Sequence, residues 1–174
     1  MRCFIGIDLP QSIKHNIDTW LSRHWPERAQ CKPVVPQNFH ITLLFLGHIN
    51  ETEVNSCAAL MDQISLPRFS LHLDSIQQWY KPPIAFLTAI DPPRPLLHMQ
   101  HEIEERIVNK ALPSLPTYET YKPHVTLARK YRDQSPLPQL KHTFAIEVNQ
   151  FHLFESVSTP SGVCYPIRQS WDLT

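Results

Sequence analysis

Glycine is scarce in this chain. Its 174 residues hold only Gly6, Gly47 and Gly162, and these lie far apart. Neither a P-loop nor a G-x-G-x-x-G turn can be written with them, so ATP- and dinucleotide-dependent chemistries lose their usual support. Charge of one sign is missing too, because sixteen Lys and Arg offset sixteen Asp and Glu. Proteins that coat long nucleic acids carry a basic excess. Any nucleic-acid partner is therefore expected to be gripped locally, at an end or a single linkage. The four cysteines (Cys3, Cys31, Cys57, Cys164) form no C-x-x-C pair, which speaks against a zinc ribbon and against a disulfide scaffold. No run approaches the roughly 18 apolar residues of a membrane span. The opening "MRCFIGIDLP" is too short an apolar run for a secretory leader. A cytoplasmic protein without membrane attachment is the expectation.

What is present is a pattern that occurs twice. "RCFIGIDL" (2–9) reads as a strand stopped by Pro10, and Ile13, Ile17, Trp20 and Leu21 then fall on one helical face. A Pro-rich loop leads to "NFHITLLFLG" (38–47). A second helix is expected over about 51–64, with Val54, Cys57, Ala58 and Met61 inward, then a strand near 68–74. "WYKPP" (79–83) reads as a break. The order then restarts with a strand and prolines in "IAFLTAIDPP" (84–93). A helix follows over about 95–111, with Leu96, Met99, Ile103, Ile107 and Ala111 on one face, and then "YKPHVTLARK". Stretches at roughly 143–156 and 162–172 read as further strands. The expected fold is α+β: a single two-lobed domain over 1–174, with halves of about 1–80 and 84–174. Two repeated strand–helix–strand units would be related by a pseudo-two-fold, with antiparallel sheets around a central cleft.

Alternate residues of a strand share a face. His40 and Thr42 therefore point one way, while Phe39, Ile41, Leu43 and Phe45 are expected to face the core. His124 and Thr126 repeat this, backed by Val125 and Leu127. Polar groups set into apolar strands need partners or a purpose. Two such strands facing each other would gather two imidazoles and two hydroxyls around one small volume. That suits an oxyanion with a proton to be given on one side and taken on the other. With ten His and ten Thr in the chain, roughly half an H-x-T arises by chance. Two copies sharing H-β-branched-T-L, at equivalent places in a repeated unit, are a stronger signal than one.

"HITL" (40–43) and "HVTL" (124–127) resemble the twin signatures of the two-histidine phosphoesterase superfamily. With "CFIGIDLP", "FHITLLFLG" and "PHVTLAR" they look like its RNA 2',3'-cyclic phosphodiesterase branch, once named 2'-5' RNA ligases. The resemblance runs along essentially the whole chain. It implies a bilobal α+β fold, no metal and no cofactor, and a partner that is an RNA 3' end or nucleotide bearing a 2',3'-cyclic phosphate. By the same resemblance His40 would be the proton donor and His124 the proton acceptor that activates water. Thr42 and Thr126 would bind phosphate oxygens, and the product would be a 2'-phosphate. Arg129 matches a basic residue that often follows the second motif. Strict alternation puts it on the face opposite His124, so it reaches a phosphate only if the strand ends or bulges near Ala128.

Other readings stay open beside this one: 2'-5' ligation, action on another cyclic phosphate such as an ADP-ribose derivative, or a nucleotide-binding module without catalysis. A monomer with no obligate protein partner is expected. In "YETYKPHVTLARKYR" (118–132) aromatics sit beside cations, which suits a stacked base and its phosphate. Tyr121 is the candidate there. Phe39, Phe45, Trp79 and Tyr80 are further stacking candidates, although core packing explains the first two better. His98, His101, Glu102 and Glu105 read as a solvated helix face and not as metal ligands. Asp8 and Asp91, at equivalent strand ends before prolines, read as turn residues.

Overall fold

The computed structural model describes residues 1–117, 120–132 and 136–174. In chain order the strands and helices are β1 (Arg2–Asp8), α1 (Gln11–His24), β2 (Lys32–Pro33), β3 (His40–His48), α2 (Glu51–Met61), β4 (Phe69–Leu73), β5 (Ser75–Tyr80) and β6 (Pro83–Thr88). Then follow α3 (Arg94–Lys110), β7 (His124–Arg129), β8 (Phe144–Val148), β9 (Gln150–Glu155), β10 (Val157–Thr159), β11 (Gly162–Cys164) and β12 (Ile167–Asp172). None of these helices is long and apolar enough to cross a membrane.

The main sheet runs β12-β9-β1-β3-β7-β6-β5, with β2 added beside β7, and every pairing is antiparallel. Its centre carries the repeat. The β1–β3 ladder pairs Phe4 with Phe45, Ile5 with Leu44, Gly6 with Thr42 and Asp8 with His40. The β6–β7 ladder pairs Ile84 with Arg129, Ala85 with Ala128, Phe86 with Thr126 and Thr88 with His124. Both ladders skip the leucine after the threonine, Leu43 in the first and Leu127 in the second, so each motif strand has a β-bulge at the same place; the first ladder shifts once more, at Leu46. The two motif strands touch at Ile41 against Val125, which places the pseudo-two-fold axis there. A second mark of the symmetry is the β4–β8 pair, since each of these strands follows its own motif strand.

The core lies behind the motifs. Phe39, Ile41, Val125 and Leu127 are fully buried and join Ile17 and Leu21 of α1 and Leu96, Met99, Ile103 and Ile107 of α3 in one cluster. Each such side chain contributes roughly 1.5–3 kcal/mol by leaving water. That clamps one face of the sheet and leaves the other for chemistry. Helix α2 starts on a reciprocal cap, with the Asn50 side chain accepting from the Glu53 amide and the Glu53 carboxylate accepting from the Asn50 amide.

Several expected boundaries move. "WYKPP" is the turn of the β5–β6 hairpin and not a break between halves; the chain passes between sheets at Asp74. The stretch 143–156 divides at Asn149 into β8 and β9, which belong to different sheets. The stretch 162–172 divides into β11, paired with β10, and β12. Apolar alternation shows that a strand is present but not which partner it takes.

Candidate active site

A cleft of about 630 Å³ opens on the exposed face of the sheet. His40, Thr42, His124 and Thr126 all line it, together with Arg129 and Tyr121. The pairing of Ile41 with Val125 sets Thr42 across from His124 and Thr126 across from His40. The two histidines, the two threonines, Arg129 and Tyr121 therefore share one cavity with Phe45 and Trp79, whereas Tyr80 does not line it.

Both imidazoles are held the same way. His40 Nδ1 donates to the Asn38 carbonyl at 2.7 Å, and His124 Nδ1 donates to the Lys122 carbonyl at 2.8 Å, two residues back in each case. A carbonyl only accepts, so Nδ1 carries hydrogen and Nε2 is the atom that exchanges a proton. His40 Nε2 lies 3.2 Å from the Thr42 hydroxyl. Each ring is also wedged by two aromatics that touch each other. Phe4 (4.7 Å) and Tyr165 (4.9 Å) flank His40, and Phe86 (5.3 Å) and Trp79 (4.8 Å) flank His124. Gly6 makes this possible on the first side. A Cβ there would meet the Ile41 carbonyl oxygen at 2.6 Å and a ring carbon of Phe4 at 3.4 Å, so the Phe4 ring uses the space beside it.

The supports differ. Opposite His124, the buried Thr88 donates its hydroxyl to the Pro123 carbonyl at 2.6 Å. Opposite His40 stands Asp8, 2.6 Å from the buried Lys14 ammonium, which also donates to the Gln37 carbonyl at 3.0 Å. Asp91, expected as the counterpart of Asp8, lies beyond β6 and is exposed; Thr88 holds that register position.

The protein's own groups favour neutral rings. Burial pulls His40 down to about 4, helped by the charge of Arg129 and opposed by the Asn38 bond and by Asp8. Burial likewise lowers His124, opposed by the Lys122 carbonyl bond and helped by Arg129 and Lys122. Among the described residues, the carboxylate of Asp8 favours the charged form of His40, and none acts comparably on His124. An arriving phosphate adds negative charge between the rings and raises both.

Arg129 reaches this cleft because of the bulge at Leu127. Leu127 and Ala128 are buried in succession, and Arg129 emerges on the face of His124 and Thr126. The same device at Leu43 turns Phe45 out of the core, where strict alternation had placed it. Phe45 is 55% exposed and lines the cleft, whereas Phe39 is fully buried. Tyr121 also lines the cleft, and its hydroxyl donates to the Thr42 carbonyl at 3.0 Å, bracing the first motif from the second half of the chain. Burial pushes its phenol well above the usual range. Tyr118 lies outside the described residues. His98 and His101 are exposed on α3.

Phe4, Thr88, Trp79 and Tyr165 were not assigned these supporting roles from the sequence. A signal for the bulges was present. "TLL" and "TLA" each set two apolar residues side by side after the threonine, which breaks period-two alternation at the same place in both motifs.

The model of the LigT-like phosphoesterase family matches residues 7–85, which include the first motif. Similarity to individual proteins extends across both motifs. The RNA 2',3'-cyclic phosphodiesterase of Escherichia coli is 28% identical over 173 residues, covering 99% of this chain and 97% of its own. The crystal structure of E. coli LigT complexed with 3'-AMP superposes with a TM-score of 0.92 at 28% identity, covering 99% of this chain and 98% of that one. The chain is similar to the LigT-like phosphoesterases. A more distant member of the group, the RNA 2',3'-cyclic phosphodiesterase of Archaeoglobus fulgidus, is 24% identical over 95% of this chain and 96% of its own.

Proposed function

We propose that this chain is a LigT-like phosphoesterase that hydrolyses 2',3'-cyclic phosphate ends of RNA to 2'-phosphates, with its two histidines dividing the acid and base work and no metal taking part. The observation that carries this reading is the pair of imidazoles, each with Nδ1 tied to a carbonyl and both lining one cleft with two threonines and Arg129. The relatives named above as RNA 2',3'-cyclic phosphodiesterases, and the 3'-AMP held by E. coli LigT, support the substrate class.

The chemistry runs in one displacement. Neutral His124 takes a proton from water through Nε2 as the water oxygen bonds to phosphorus. The bond from phosphorus to the 3' oxygen breaks, and protonated His40 gives its Nε2 proton to that oxygen. The phosphate remains on the 2' oxygen. Thr42 and Thr126 donate hydroxyl hydrogens to the phosphate oxygens, and Arg129 meets the charge that builds on them. The donor role is given to His40 because it stands in the first motif, and Asp8 there opposes the burial that pulls that ring down. We assign Tyr121 a bracing part at Thr42.

The test is an assay with EDTA present, on a short RNA ending in a 2',3'-cyclic phosphate, identifying the phosphate position in the product. A 2'-phosphate, reduced roughly 10²–10⁴-fold in His40→Ala and in His124→Ala, is expected. Activity lost on adding EDTA, or kept in either variant, would overturn the mechanism.

A further inference from the structure

We infer that Lys14 is a positioning residue for His40, pinning from the core the turn whose carbonyl orients that ring. This rests on the reaction proposed above and adds to it a residue that touches no substrate.

The inference begins with a charge in the interior. Lys14, near the start of α1, is 3% exposed and is the one Lys, Arg, Asp or Glu that is buried among the described residues. Its ammonium lies 2.6 Å from Asp8 and donates to the Gln37 carbonyl at 3.0 Å. A buried ion pair is a poor source of stability, because desolvating the charges offsets their attraction and apolar residues of similar size often do as well. Stability alone does not account for it.

Its second bond points to the site. Gln37 is the middle residue of the turn Pro36–Asn38. The next carbonyl, that of Asn38, accepts from His40 Nδ1 at 2.7 Å. The Asn38 side chain also donates to the Val163 carbonyl of β11 at 2.7 Å. The turn is therefore gripped from the hairpin through Asn38 and from the core through Gln37. Gln37 itself is exposed, so Lys14 reaches a surface turn from below. In the other half the buried Thr88 does the corresponding work at short range, donating to the Pro123 carbonyl between Lys122 and His124.

Free space makes the tie necessary. His40 lines the large cleft and also a second cavity of about 240 Å³, bounded by Asp8, Lys14, Gln37, Asn38 and Tyr165 among others. The ring is not packed on every side. Its Nδ1 bond decides which nitrogen carries hydrogen and where Nε2 points. A turn that shifts lets the ring follow it into the second cavity, and a displacement of about 1 Å is enough to cost roughly 10²-fold in rate.

The experiment runs Lys14→Met, Lys14→Arg and His40→Ala on two substrates. One is a 2',3'-cyclic phosphate; the other has sulfur in place of the bridging 3' oxygen, so that its thiolate leaves without a proton. Lys14→Met is expected to lower kcat on the oxygen substrate by roughly 10²-fold with KM near wild type, and to lose little on the sulfur substrate, as His40→Ala does. Lys14→Arg keeps a cation of similar reach and should restore most of the rate. Equal losses on both substrates would make Lys14 a structural residue, and no loss on either would make the tie dispensable. Both results overturn the inference. Should Lys14→Met not fold, the double variant Asp8→Asn/Lys14→Met removes both charges, and the same split between substrates is expected of it. Nitrogen-15 NMR of the His40 ring reads the tie without turnover, since Lys14→Met should populate the tautomer that wild type lacks. If wild type hydrolyses neither substrate, or the sulfur substrate does not rescue His40→Ala, the hydrolase or donor reading fails on its own. The positioning role then stands on a changed tautomer and falls on an unchanged one.

Discussion

The β1–β3 and β6–β7 ladders are the same device built with different side chains. Each sets His and Thr on one face, ties the ring to the carbonyl two residues back, wedges it between two aromatics, and bulges at the leucine after the threonine. What stands opposite the histidine differs. The first ladder offers Asp8 with the buried Lys14, and the second offers a neutral hydroxyl, Thr88. What emerges past the bulge differs as well, Phe45 on one side and Arg129 on the other. The backbone repeat creates a symmetric cleft, and the side chains around it make its two sides chemically different.

Removing Arg129 should damage the comparison most. Arg129→Ala is expected to lower kcat/KM by roughly 10²-fold, mostly in kcat, because the guanidinium meets charge that grows in the transition state. A loss confined to KM would reduce it to a binding residue.

The two supports should differ next. Asp8→Asn leaves the Lys14 ammonium buried beside a neutral amide. With Asp8 itself partly exposed, the expected cost is about 3 kcal/mol of folding stability. Thr88→Val removes one neutral hydrogen bond and should cost about 1–2 kcal/mol. Urea midpoints at pH 7 check both, and equal losses would erase the distinction between an ionic and a neutral support.

The pH dependence should be of similar size. His40 titrates near 4 in the folded chain, below its ordinary value of 6.5. Between those values the unfolded chain holds a proton that the folded chain lacks. Stability is therefore full above pH 6.5 and falls as pH drops toward 4, by up to about 3 kcal/mol from this ring. His40→Gln should flatten that stretch of the unfolding curve. Catalysis should follow the same groups. Both free-protein values lie below 6.5, so kcat/KM should peak on the acid side of that pH. A peak above pH 7 would contradict the burial of the rings.

Much of this was legible from residue order. The doubled H-x-T spacing pointed to the four side chains that line one cleft, and the 3–4 spacing of Ile17, Trp20 and Leu21, or of Leu96, Met99 and Ile103, pointed to the helices. Strand partners were not legible, because alternation in 143–156 is equally satisfied by one long strand or by two in separate sheets. Phe45 was misplaced by a strict period of two, and Arg129 reaches the cleft only through the bulge that its candidacy required. A one-residue bulge inverts the facing of everything beyond it, and the paired apolar residues at 43–44 and 127–128 were its only trace. Asp8 and Asp91 looked equivalent because each precedes proline, but the ladder register, not the turn, decides what faces a histidine.

The division of roles between the two rings is most directly tested with a cyclic phosphate whose bridging 3' oxygen is replaced by sulfur. A thiolate leaves without needing a proton, so a missing donor matters little and a missing acceptor matters as much as before. The account predicts that this substrate restores His40→Ala toward wild-type rates, by roughly 10²-fold relative to the oxygen substrate, and leaves His124→Ala inactive. Rescue of His124→Ala instead, or of neither variant, would contradict it.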